Sequence, residues 1–235
     1  LLKLAQAWAP HPKASSADKA NVVPYFELDG RLYLGVSCGG GKYGFLHLGD
    51  RGNLVISEEI HRADGVTYLP QPLPTKHGEP LPIVGLPTQD AADGPTTTPN
   101  SIFQTISDHI KAYADLSPND LRLSIYYIVF TWLYPKVNTT AYLRFLGDTG
   151  KGKSRIMRVV GDICFYPVKA AGASSFSGIA RLHERWPGTL LIDEADVNAD
   201  KESQLIKYIN LGFEREQYYV LSDKQNPKNQ DYFDP

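Results

Sequence analysis

Alternating hydrophobic and polar positions fill the first third of the chain. Residues 23–28 and 31–36 alternate on either side of Asp29-Gly30, a strong short-range hairpin signal. Residues 43–48 and 53–57 alternate in the same way around Gly49-Asp50-Arg51-Gly52, so residues 22–69 predict a small antiparallel β module. The pattern then breaks. Residues 70–99 hold eight of the 17 prolines, a composition that continues neither a helix nor a central strand and reads as a linker or extended arm. Period-3.6 patterning follows. Ile102, Phe103, Ile106, Ile110 and Tyr113 mark one amphipathic helix. Ser117-Pro118-Asn119-Asp120 opens a second, with a cap, a proline at the first helical position and an acid at the third. That second helix, to about Tyr134, is apolar nearly all round and is expected to be buried. Beyond it the pattern predicts a strand at 141–146, a helix at 153–164 and a strand at 168–171. A helix at 176–185, a strand at 189–192, a helix at 201–211 and a hairpin opening at 218–221 complete it.

Composition changes this picture little. With 42% hydrophobic and 21% charged residues over 235 positions, the chain has enough apolar mass for a core. A net charge of −2 carries no global basic field. The charge is uneven, however. Residues 142–185 carry eight Lys/Arg against three Asp/Glu, and residues 193–235 carry five against ten; the basic stretch is what a phosphate site would need. Cys38 and Cys164 lie far apart and read as reduced core residues rather than a disulfide, pointing to a cytoplasmic setting. The most apolar run, 125–134, is about half the length a bilayer span requires, so no membrane partner is expected. A start at Leu1 and a stop at Asp234-Pro235 read as a piece of something longer.

The candidate chemistry lies where the predicted strand at 141–146 meets the predicted helix at 153. Residues 147–154 read Gly-Asp-Thr-Gly-Lys-Gly-Lys-Ser, a full G-x-x-x-x-G-K-[ST] loop. Such a turn points successive backbone N–H groups inward as an anion nest, reinforced by the helix N-terminus. The candidate nucleotide-binding set is Gly147, Asp148, Thr149, Gly150, Lys151, Gly152, Lys153, Ser154 and Arg155. Lys153 is expected to reach the β- and γ-phosphates and so to be catalytic as well; the Ser154 hydroxyl is expected to ligate Mg²⁺. Leu190-Leu191-Ile192-Asp193 is a hydrophobic strand ending in an acid forty residues after Lys153, followed by Glu194. Asp193 is the second candidate metal residue and Glu194 the candidate general base. The bland alternatives are a surface Gly-Lys loop and a buried strand with a solvated acidic end; the pairing of the two motifs favours the nucleotide reading. The glycine-rich run 38–44 has no helix after it and reads as a loop between strands. The six histidines show neither metal-ligand spacing nor a Ser/His/Asp arrangement. Arg215 is either a solvated helix-end arginine or a finger into a neighbouring subunit. Asp193 is followed by Glu-Ala-Asp and no Asn-Lys-x-Asp occurs, so ATP rather than GTP is the expected nucleotide.

Residues 147–154 with 190–196 resemble the core of additional-strand P-loop ATPases, most closely AAA+ and related helicase-like modules. The longer runs 143–162, 172–175 and 210–215 are similar to ATPases of phages, plasmids and integrated elements linked to replication. The resemblance covers roughly residues 118–235. It implies an α/β fold with a three-layer P-loop NTPase core, incomplete and C-terminally truncated, preceded by a small β-rich module and a helical segment. The domain reading is 1–69 accessory module, 70–99 linker and 100–235 ATPase domain. A further strand carrying a polar sensor, which in this family lies between the phosphate-loop strand and the Asp193 strand, is not identifiable, nor is a helical lid with arginines. A core without them is expected to bind nucleotide weakly and to hydrolyse it slowly or not at all. The function implied is Mg²⁺-dependent ATP hydrolysis by a DNA-directed, helicase-like motor of mobile-element replication, acting as a homo-oligomeric ring. The alternative is a regulatory switch ATPase that controls assembly of a complex without translocating on nucleic acid.

Overall fold

Asp29 and Gly30 both take positive φ, 50° and 73°, and reverse the chain between β2 (Tyr25–Leu28) and β3 (Arg31–Gly39) as the hairpin signal predicts. The computed structural model describes residues 20–92, 98–133, 137, 139–148, 150–171, 175–193, 207–210, 212, 219–222 and 230–233. It is a mixed α/β chain with several small sheets, in two compact units: one of residues 1–106 and 132–136, the other of residues 107–131 and 137–235.

In the first unit, β2, β3, β4 (Lys42–Leu48) and β5 (Leu54–Ser57) form an antiparallel meander in sequence order. A second sheet pairs β1 (Asn21–Val23) in parallel with β7 (Thr67–Pro70), and β7 antiparallel with β6 (Ile60–His61). Phe26 joins the two sheets. Its ring stacks on Tyr33 at 4.7 Å and on Tyr68 of β7 at 4.1 Å, and meets Phe45 edge-on at 5.1 Å. Leu32, Leu34, Val36 and Leu46 fill the rest of this core. The expected linker does more than connect. Within it β8 (Thr75–Lys76) and β9 (Glu79–Pro80) make a small hairpin, and Val84 is buried. The Ser37 amide donates to the Pro87 carbonyl at 2.9 Å, so proline-rich chain lies along the end of β3. Prolines lack a donor but keep their carbonyls, which is how such a segment satisfies a strand edge.

Helix α1 (Pro99–Tyr113) runs from the first unit into the second. In the second unit α2 (Pro118–Leu133) starts as expected: the Asp120 amide donates to Ser117 Oγ at 3.2 Å, and that hydroxyl donates to the Asp120 carboxylate at 2.6 Å. The expectation that α2 is buried all round is corrected. Ser124, Ile125, Ile128 and Thr131 form its buried face, while Leu123 and Tyr126 stand more than half exposed. Thr131 sits inside because its hydroxyl donates to the Ile128 carbonyl and accepts from the Phe165 amide. Then come α3 (Lys153–Gly161), β10 (Val168–Ala171), α4 (Phe176–Arg185) and β11 (Leu190–Asp193). Strands β10 and β11 pair in parallel with α4 as the crossover, Val168 opposite Leu190 through Ala171 opposite Asp193. Residues 207–210 are helical, and β12 (Tyr219–Ser222) pairs antiparallel with β13 (Gln230–Phe233), the expected hairpin.

A second correction concerns residues 141–146. They were expected to be a strand, yet among the described residues they join no sheet. A strand exists only through its ladder, and the segment is not brought against the open edge of β11. The described sheet here has two strands.

Candidate functional site

The loop before α3 depends on backbone conformations that glycine adopts at no steric cost. Gly150 and Gly152 have φ of 79° and 82°, and a Cβ at either would meet nothing within 4 Å. Their dihedral angles, not crowding, call for glycine. Gly152 is the N-cap of α3 and lends no side-chain acceptor to the first turn, where leading N–H groups can receive an anion. The Lys151 amide closes a turn on the Asp148 carbonyl at 3.3 Å. Lys153 folds back along the loop, its ammonium donating to the carbonyls of Gly147 and Asp148. Arg155 is exposed on the first turn of α3.

Opposite this turn stands the end of β11. Helix α3 lies against the strand closely enough that a Cβ on Gly161 would fall 2.4 Å from the Leu191 Cδ1, so glycine there permits the approach. The Ser154 hydroxyl donates to Asp193 Oδ1 at 2.8 Å, across 39 residues of sequence. Arg158, one turn further along α3, puts Nη2 3.5 Å from Asp193 Oδ2. Arg158 was not singled out from sequence as a site residue. Its spacing held the signal, because Ser154 and Arg158 are i, i+4 and therefore share a helix face.

The strand itself is held from below. The Val168 amide donates to the Thr189 carbonyl, and the Thr189 amide to the Phe165 carbonyl, each at 2.8 Å. Gly188 passes so near Tyr166 that a Cβ would lie 2.2 Å from its carbonyl oxygen. His183 spans the gap behind, with Nε2 2.9 Å from the Gly188 carbonyl and Nδ1 2.9 Å from the Tyr208 hydroxyl. One neutral tautomer satisfies both bonds, Nε2–H donating and Nδ1 accepting. Cys164 is buried, and desolvation pushes its thiol up to about 12; it is a core side chain with no thiolate to offer near neutral pH.

The predicted residues thus divide. Gly147, Asp148, Gly150, Lys151, Gly152, Lys153, Ser154 and Arg155 form one loop and helix start, and Asp193 meets Ser154 across from them. Thr149, Glu194 and Arg215 lie outside the described residues. Among the described residues no group of three or more His, Cys, Asp or Glu could hold a metal ion by itself, and no helix is long and apolar enough to cross a membrane. Compared with family models, with curated proteins and with solved structures, the chain matches none.

Proposed function

We propose that this chain binds Mg²⁺·ATP at residues 147–154 and hydrolyses it, as a P-loop ATPase of the additional-strand class directed to DNA. One observation carries the reading: the 2.8 Å hydrogen bond from Ser154 to Asp193. It sets a hydroxyl from the start of a glycine-led helix against a carboxylate at the carboxyl end of a parallel strand, where ligands collect in open α/β sheets. Two hard oxygen donors at one point suit Mg²⁺, which takes few protein ligands and completes its shell with phosphate and water. The order of elements supports the additional-strand class as well. Helix α3, strand β10, helix α4 and strand β11 follow the loop in the order that class has, with β10 and β11 paired in parallel.

Each residue has a task in this reading. The backbone amides of 148–154 and the N-terminus of α3 receive the phosphate chain, and Lys153 adds a positive charge at the β/γ end. Ser154 and Asp193 would hold Mg²⁺, which when bound neutralises charge on the phosphate oxygens. Glu194, next to Asp193 in sequence, orients the attacking water and accepts its proton. The DNA-directed and ring-forming parts of the proposal rest on the sequence resemblance of 143–162, 172–175 and 210–215, and its cytoplasmic part on Cys38 and Cys164 reading as reduced.

The test is calorimetry of nucleotide binding. Lys153→Ala is expected to weaken ATP at least about tenfold, roughly 1.4 kcal/mol; unchanged affinity in a folded variant overturns the loop assignment. Turnover measured with and without DNA tests the rest. Stimulation that fades with salt is expected of phosphate contacts, and identical turnover moves the reading to a switch ATPase.

A further inference from the structure

Both oxygens of the Asp193 carboxylate face side chains of one helix. Ser154 donates to Oδ1 at 2.8 Å, and Arg158 faces Oδ2 at 3.5 Å. The terminal torsion of an aspartate is broad and roughly two-fold, so a carboxylate with one partner swings about it. Two partners on opposite oxygens, both carried by α3, restrict that freedom. Arginine suits the task because its guanidinium is planar and always charged.

We propose that Arg158 is a positioning residue: it fixes the plane of the Asp193 carboxylate so that Oδ1 stays turned to Ser154, and thereby pre-orders the oxygen pair that would meet Mg²⁺. This rests on the nucleotide reading above. Arg158 acts through Asp193. Its own side chain is 65% exposed and that of Asp193 29%, so solvent screens the pair and the effect is modest. The same exposure means that removing the guanidinium leaves the fold intact.

The experiment compares affinities for a non-hydrolysable ATP analogue, measured by calorimetry on the full chain in Mg²⁺ and in EDTA. In the parent, Mg²⁺ raises affinity by some factor. Arg158→Gln is expected to cut that factor about threefold while the affinity in EDTA stays as it was, and Arg158→Lys, which keeps the charge without the planar group, to recover part of the loss. A general loss of positive charge near phosphates would instead weaken binding equally in Mg²⁺ and EDTA, and that result overturns the proposal. So does an unchanged Mg²⁺ factor in Arg158→Gln. A parent that binds no analogue in either condition overturns the nucleotide reading and this proposal together. A parent with a clear Mg²⁺ factor that Arg158→Gln leaves untouched sinks the positioning role alone.

Discussion

The meander β2–β5 and the pair β10–β11 reach order by opposite routes. In the meander each strand pairs with its neighbour in sequence through a short turn, and the sheet is closed over Phe26 and its aromatic neighbours. In the pair the strands are parallel, so α4 must cross between them, and parallel strands bring their carboxyl ends to the same side. The first route makes a stable body from local contacts. The second places Asp193 among side chains from a different element, Ser154 and Arg158 on α3. The aromatic cluster around Phe26 and the candidate chemistry are therefore lodged in different units, and each can be addressed by its own substitutions.

The largest expected effect is on the stable side. Phe26 is 1% exposed and touches three aromatic rings. Phe26→Ala leaves a cavity where two sheets meet and is expected to cost about 3–5 kcal/mol in denaturant unfolding of the first unit. Affinity for Mg²⁺·ATP, measured at a temperature where the variant stays folded, should hold. A parallel loss of nucleotide affinity would break the comparison, because the site would then depend on the meander.

On the chemical side the expected effect is next in size and reversed in kind. Glu194→Gln keeps shape and removes the base, so single-turnover hydrolysis should fall by about 10²-fold or more while Mg²⁺·ATP binding and unfolding midpoints stay at parental values. Asp193→Asn should weaken Mg²⁺-dependent binding and turnover together, since it changes the charge that the metal would meet. Parental turnover in Glu194→Gln would show that the base lies elsewhere.

How far each region was legible in the sequence follows the same division. Asp29-Gly30 and Ser117-Pro118 act on neighbouring backbone, and the chain obeys them. Strand β10 was legible to the residue, Val168–Ala171. Ser154 and Asp193 were paired from motif spacing alone, and they touch. What depends on distant partners was not legible. Residues 141–146 are a short run, apolar or aromatic apart from Arg144, but have no ladder among the described residues. Helix α2 reads as buried all round because Leu123 and Tyr126 are apolar, yet the buried face takes Ser124 and Thr131 instead. The polar pair fits inside only where a backbone partner such as the Phe165 amide waits, which no local pattern records. Arg158 escaped for a similar reason, its partner lying 35 positions away on another element.

The smallest expected effect concerns alkaline pH and sharpens the comparison once more. In the second unit, burial raises the Cys164 thiol from its ordinary 9.0 to about 12, and the Tyr127 hydroxyl from 10.0 to about 12. In the first, burial raises Tyr33 as well, but Arg31 pulls against it. The sign follows from linkage. A group whose pKa is higher in the fold than in the unfolded chain contributes stability that is whole below its unfolded pKa; as pH climbs, the unfolded chain gives up its proton while the fold retains it. Stability held by Cys164 is therefore present below about pH 9 and lost as pH rises toward 12, with Tyr127 adding to the loss from about pH 10. Denaturation midpoints taken at intervals from pH 8 to pH 11 should decline on the upper limb in the parent. Tyr127→Phe, which cannot ionise, is expected to flatten that limb more than Tyr33→Phe does, and Cys164→Ala to flatten it from a lower pH. If Tyr33→Phe has the greater effect, the alkaline weakness belongs to the aromatic meander, and the second unit's half-buried hydroxyl and buried thiol are better hydrated than their packing implies.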